Sequence, residues 1–181
     1  MENEKELISF ISNVDGWLTE SEAVDLYHHA RNCTGKGVIV EIGSWKGKST
    51  ISLGKGSKAG NNVPVYAIDP HTGASDTIAL FGHICTFKEF ESNIAAANLH
   101  DIVNPIVLTS EEAAKNFNKP IEFIFIDGDH EYEFAKLDFQ LWYPKLITGG
   151  IMAFHDSFDF KGSRKVVRKL QNQNILRTSI L

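Results

Sequence analysis

Residues 38–50 read Val38-Ile39-Val40-Glu41-Ile42-Gly43-Ser44-Trp45-Lys46-Gly47-Lys48-Ser49-Thr50. The first five favour a strand, because β-branched side chains dominate and no polar alternation interrupts them. Gly43 and Gly47 bracket a turn, and Lys48 to Gly54 has the composition of a helix start. A strand, a glycine turn and a helix N-terminus together let backbone approach a ligand closely. Glu41 is the odd residue: a carboxylate at the end of a buried strand is costly unless it is paired. It either holds a cation or hydrogen-bond donor, or caps the turn.

Three glycine patterns compete for this stretch. A phosphate-binding P-loop needs four residues between its glycines, and three lie between Gly43 and Gly47. A dinucleotide fingerprint needs a second glycine where Trp45 stands. The third pattern, acidic-x-Gly-x-x-x-Gly after a strand, resembles motif I of class I methyltransferases that use S-adenosylmethionine (SAM). That cofactor carries no phosphate, so a bulky residue between the glycines is tolerated.

The chain is 181 residues long, with 43% apolar and 23% charged residues and a net charge of −5. Those values suit one globular domain, residues 1–181, with residues 1–34 as a helical lead-in. The negative balance argues against a nucleic-acid partner. The N-terminus is acidic rather than signal-like, and no apolar run is long enough for a bilayer. Cys33 and Cys85 are too far apart for a metal knuckle and suit a reducing compartment. The expected location is cytoplasmic.

Working outward, a short helix is expected over 4–12. Thr19 and Glu22 form a capping-box signature for a helix over 20–32. His28 and His29 are adjacent and face different ways, so a shared metal is not expected of them. Val65 to Asp69 reads as the second strand. An acid at its end is the device that holds a ribose diol, although Asp69-Pro70 also suits a plain turn. Residues 71–86 form either a lid or a packed helix. A helix follows over Phe87–Ala97, then a strand over Pro105–Leu108. Ser110 suits either an adenine edge or the N-cap of the next helix. Glu122 to Ile126 is a strand, Tyr132 to Tyr143 a helix with Phe134, Leu137, Leu141 and Trp142 inside, and Ile151 to Phe154 a strand after a turn over 144–150. A helix over Gly162–Gln173 and a strand over Ile175–Leu181 complete the reading. The basic face of that last helix suits solvent or an anion. Successive strand ends carry Gly43, Asp69, Asp127 and Asp156, and in open parallel sheets ligands bind beyond the carboxyl ends of the strands.

Taken together, Val40–Thr50, Ala67–His71 and the run from Phe125 to Tyr132 with Tyr143–Ser157 resemble one subfamily. It is the class I SAM-dependent methyltransferases acting on sugars and other small hydroxylated molecules. The resemblance implies an α/β, Rossmann-like, doubly wound, mostly parallel sheet, here lacking the last antiparallel strand. An edge left open that way would invite a homodimer. It further implies that Glu41, Gly43, Ser44, Gly47 and Ser49 hold the methionine part of SAM, that Asp69 holds its ribose and Ser110 its adenine, and that Asp127 belongs to the same set. Metal-using relatives carry an aspartate after strand four and an acidic pair after strand five. Asp127 and His155-Asp156 occupy those places, which admits a Mg, Mn or Zn ion on Asp127, His155 and Asp156; Asp127 and Asp129 could instead cap the following helix. Those relatives use a lysine base where this chain has His130. An imidazole with an ordinary pKa near about 6.5 can remove the proton of a small-molecule hydroxyl in its stead. Two other classes stay open at this stage: a dinucleotide-binding oxidoreductase, and a SAM-binding domain without turnover.

Overall fold

The computed structural model describes residues 2–73, 82, 84–128 and 131–155. The expectations placed on Asp129, His130, Asp156, the helix over 162–173, the strand over 175–181 and most of the 71–86 segment lie outside these residues.

Five parallel strands form one sheet in the order β3-β2-β1-β4-β5. They are β1 Val38–Ile42, β2 Val65–Ile68, β3 Val103–Ile106, β4 Ile121–Ile126 and β5 Leu146–Phe154. The order reverses at β1, so β1 and β4 flank the crevice where chain direction splits. Alternate residues of each strand serve opposite layers. Ile39, Val65, Phe123 and Phe125 face a core shared with α1 Glu2–Ile11, α2 Glu20–Asn32, α3 Lys48–Ala59 and α4 Phe87–Ala96. Val40, Ile42, Ile124 and Ile126 face a second core shared with α5 Ser110–Asn116 and α6 Tyr132–Trp142. Both faces are covered, which explains the unbroken apolar runs of β1 and β4. Each fully buried Ile or Phe contributes about 1.5–3 kcal/mol.

The lead-in is part of the same core. Thr19 and Glu22 close the expected capping box on α2. Gly56 of α3 and its C-cap Gly60 let α2 lie directly on it: a Cβ on Gly56 would stand 2.2 Å from the Tyr27 carbonyl oxygen, and one on Gly60 2.2 Å from that of Arg31.

Three local expectations need correction. The third strand is Val103–Ile106 rather than 105–108. Parallel register against β2 pairs Val65 with Val103 and Ile68 with Ile106, leaving Val107 and Leu108 exposed. Pro105 is tolerated because β3 is an edge of this sheet. Helix α6 buries Ala135, Asp138 and Trp142, while Phe134 faces solvent. A polar chain decides that face: Trp142 Nε1 donates to Ser110 Oγ at 2.8 Å, and Ser110 Oγ donates to Asp138 Oδ1. Finally, β5 begins at Leu146, with the expected turn glycines inside it. Its register jumps from Ile121↔Leu146 to Phe123↔Ile151, so the extra residues around Gly149 (φ +83°) bulge out.

Candidate active site

Glu41 sits in β1 between Ala67 and Phe125 and is fully buried. Strand alternation turns it toward α3. Thr50 Oγ1 donates to its Oε2 at 2.5 Å, while Oε1 has no partner. Burial pushes its pKa up to about 8, helped by the charges of Asp127 and Asp69 and opposed by the hydroxyls of Ser49 and Thr50. A buried carboxylate oxygen without a donor is costly. Protonation of that oxygen, or a donor or cation from a ligand, would remove the cost.

The turn from Gly43 to Gly47 is held from every side. Gly43 has φ +83°, and a Cβ there would lie 2.1 Å from the Asp127 carbonyl oxygen. Only glycine allows β1 and β4 to converge this closely. Gly47 is left-handed at φ +93° and ends the turn as the N-cap of α3 without any side-chain cap. Asn93 donates to Lys46 O at 2.8 Å, fixing the turn to α4. Ser44 is buried and its hydroxyl has no partner, and the indole N–H of Trp45 has none either. The N-terminus of α3 thus presents N–H groups and the positive end of the helix dipole beside Glu41.

Asp69 stabilises this turn. Its Oδ2 accepts from Ser44 N and Trp45 N at 2.8 Å each, and Oδ1 from His71 N at 2.6 Å. A carboxylate has about four acceptor positions, so one remains for a ligand hydroxyl, against the two that a diol clamp would use. His71, left-handed at φ +57°, is buried with Phe87 and Phe90 5.1 Å away. Burial lowers its pKa. Its Nδ1 lies 3.0 Å from Thr86 Oγ1.

On the other side of the switch point, Asp127 and His155 end β4 and β5. His155 Nδ1 lies 2.9 Å from Asp127 Oδ1, and Nε2 lies 3.5 Å from Glu22 Oε1. The His155 ring meets Phe125 edge-on at 5.8 Å. Burial works to raise the pKa of Glu22, but its hydrogen bonds with Thr19 and the nearby His155 hold it below the ordinary carboxylate range. Asp127 and His155 are thus together, as the metal reading requires. Among the described residues no group of three or more His, Cys, Asp or Glu side chains is placed to hold an ion. Asp156, the third residue of the metal reading, lies outside the described residues; within them Asp127 and His155 are partners of each other.

Ser110 lies apart from the β1–β2 end of the crevice in its contacts: its hydroxyl is engaged by Asp138 and Trp142. The N-cap of α5 is Thr109, with Glu112 completing the box, rather than Ser110.

Residues 40–157 match a family described as "Methyltransferase domain". The chain belongs to this methyltransferase family. It is 29% identical over 131 residues to the uncharacterized protein R132 of Acanthamoeba polyphaga mimivirus, covering 71% of this chain and 55% of that protein. The chain therefore spans just over half the length of that relative. Its fold is similar to that of the O-methyltransferase NovP, with a TM-score of 0.77, 17% identity and coverage of 93% of this chain and 78% of that one. The O-methyltransferase TomG from Streptomyces achromogenes, involved in tomaymycin synthesis and solved in complex with SAM, gives a TM-score of 0.62, 15% identity and coverage of 98% and 79%.

The candidate site also contains residues that the motif reading passed over. Thr50 is the group that engages Glu41, and its place in the first turn of α3, opposite a buried acid, was the available signal. Glu22 read only as a cap, yet its second oxygen reaches His155. His71 stood within the Ala67–His71 stretch but was given no role there. No helix among the described residues is long and apolar enough to cross a membrane.

Proposed function

We propose that this protein transfers the methyl group of SAM to a hydroxyl oxygen of a small acceptor molecule. One observation carries the reading. Glu41 Oε1 is buried without a donor, directly beside a helix N-terminus that no side chain caps. An orphan acceptor next to a set of N–H donors complements the ammonium and carboxylate of an amino-acid tail. Phosphate-bearing dinucleotides offer no such ammonium, and neither the oxidoreductase reading nor a domain without turnover gains support.

When bound, the cofactor supplies an electrophilic methyl group on a sulfonium. Glu41 would hold the ammonium, and the α3 N-terminus with Ser44 and Ser49 the carboxylate. Asp69 keeps the turn in shape and offers its remaining acceptor to the ribose. Gly43 brings the β1 and β4 ends together, so ligand and Asp127 share one crevice. On the acceptor side, Asp127 and His155 are fixed by each other and by Glu22, which preorganises polar groups near the reacting oxygen. Such alignment is the main contribution a protein makes to a displacement of this kind. Removal of the acceptor proton is assigned to His130, and a divalent ion would help only if Asp156 joins Asp127 and His155. The same reading takes the acceptor to be a small molecule and the location to be cytoplasmic.

Thermal melting with S-adenosylhomocysteine, the demethylated product, tests the proposal. A ligand at about 100 times its Kd stabilises by about 2.7 kcal/mol, so the melting temperature should rise by several degrees, and NAD should leave it unchanged. No shift at millimolar concentration refutes the proposal. Transfer of label from SAM to a panel of phenols and sugars, with and without EDTA, then reports on turnover and on the ion.

A further inference from the structure

Thr86 stands at the N-cap of α4, yet its hydroxyl makes no capping bond. An N-cap threonine ordinarily gives that oxygen to its own helix. Here the hydroxyl is spent elsewhere. Oγ1 lies 3.0 Å from His71 Nδ1 and donates to the Trp45 carbonyl at 3.4 Å. His71 is 2% exposed, and its Nε2 has no partner. The methyl-transfer reading leaves this buried imidazole without a task.

These contacts decide which ring nitrogen carries the proton. A carbonyl only accepts, so Thr86 spends its single hydrogen on Trp45. Thr86 Oγ1 can then only accept from His71, which puts the proton on Nδ1. The other tautomer would bury an Nε2–H without an acceptor and deprive the Trp45 carbonyl of its donor, two losses instead of one. Burial lowers the His71 pKa, while the charge of Asp69 and the Trp45 carbonyl work against it. The ring is therefore neutral at neutral pH.

The carbonyl held in this way belongs to a strained residue. Trp45 has φ +46° and His71 φ +57°. Bulky side chains stay in that region only where their surroundings over-determine them. Asp69 supplies half of the restraint by accepting from Ser44 N, Trp45 N and His71 N. The His71–Thr86 pair supplies the other half at the Trp45 carbonyl. Thr86 N donates to His71 O at 3.1 Å and closes the frame. Outside the frame, the strap of residues 15–22 grips the turn by its side chains. Lys46 Nζ lies 2.9 Å from Asp15 Oδ2, Lys48 Nζ donates to Gly16 O at 3.1 Å, and Glu22 then reaches His155. The Trp45 peptide is thus set from within.

We propose that His71 is a positioning residue for the cofactor: as its Nδ1–H tautomer it fixes, through Thr86, the Trp45 peptide and with it the turn that receives the methionine end of SAM. The proposal rests on the methyl-transfer reading. His71 acts through Thr86 on the shape of the turn, so loss of the relay weakens cofactor binding without unfolding the domain.

The test uses the full chain labelled with nitrogen-15. Long-range proton–nitrogen NMR spectra distinguish the two ring nitrogens, and the signal lost in His71→Asn identifies His71 among the seven histidines. The ligand-free wild type should show the Nδ1–H tautomer at neutral pH. Calorimetry should show S-adenosylhomocysteine bound about tenfold more weakly by Thr86→Val, the equivalent of one lost hydrogen bond, and within about twofold of the wild type by Thr86→Ser. His71→Asn keeps an N–H donor and tolerates the left-handed backbone, so it should bind within about threefold. A merely structural hydroxyl would lower the melting temperature of Thr86→Val and leave its affinity alone. The proposal is overturned if His71 is the Nε2–H tautomer or doubly protonated, if Thr86→Val binds as the wild type does, or if Thr86→Ser fails to recover what Thr86→Val loses. The tautomer is read on the wild type, so it decides even where Thr86→Val does not fold. Failure of S-adenosylhomocysteine to bind the wild type would sink the methyl-transfer reading instead, while the tautomer still upholds or overturns the relay.

Discussion

Replacing Glu41 by glutamine should abolish a proton release that accompanies cofactor binding. Burial puts the Glu41 pKa at about 8. At pH 7 roughly 0.9 of the ligand-free molecules then carry a proton there, falling to about 0.1 at pH 9. An ammonium group against Oε1 favours the charged carboxylate and drives that proton off. Binding of S-adenosylhomocysteine at pH 7 should therefore release about 0.9 proton, and apparent affinity should rise close to tenfold per pH unit below about pH 8. Titration calorimetry in phosphate and in Tris, whose ionisation enthalpies differ, reads the release directly. In Glu41→Gln the measured heat should no longer depend on buffer. The ligand-free protein gives an independent check. Its folded pKa of about 8 lies above the ordinary 4.5, so the stabilising contribution is full below pH 4.5 and is lost as pH rises through 8. The loss is on the order of a few kcal/mol, and Glu41→Gln should be the more stable protein in alkaline urea melts. A buffer-dependent heat that survives in Glu41→Gln would refute the reasoning.

Three further substitutions probe the same crevice. Asp69→Asn removes the charge that accepts from Ser44, Trp45 and His71; stability should fall by about 1.5–3 kcal/mol in urea denaturation, with weaker cofactor binding alongside. Gly43→Ala forces a side chain into φ +83° and onto the Asp127 carbonyl, so a loss of about 3 kcal/mol or more, or failure to recover folded protein, is expected. Ser110→Ala leaves Asp138 buried without its hydroxyl partner and should lower the urea midpoint, by about 1–3 kcal/mol. It should leave S-adenosylhomocysteine affinity nearly intact; a tenfold loss would support the adenine role for Ser110.

Fold legibility tracked local signals. The β1 run, the Gly43 and Gly47 turn and the Thr19–Glu22 box were readable because each rests on nearest-neighbour chemistry, and all three stand where the sequence put them. The acids at the strand ends follow from parallel topology, and Asp69 and Asp127 do flank the β1 turn. What escaped the sequence was set by contacts between distant segments. The end of β3 is fixed by register with β2. The inner face of α6 is fixed by Ser110, which lies 32 positions before Trp142. Asp69 read as a ligand residue but spends three acceptor positions on backbone, because the Gly43–Gly47 turn exposes N–H groups that no local partner satisfies. The strap from Asp15 to Glu22 was invisible for the same reason: its anchors are Lys46, Lys48 and His155, far along the chain.

At Gly56 and Gly60, α2 and α3 meet backbone to backbone, with no side chain between them to slide or repack. Such a seam makes the two helices a weld and not a hinge. With Lys46 and Lys48 also tied to Asp15 and Gly16, the overhang ahead of α2 and the loop ahead of α3 are braced against moving apart. For protein engineering the corollary is practical: a chimera that borrows its first 34 residues from a cousin must import the matching third helix as well, or the joint will not close.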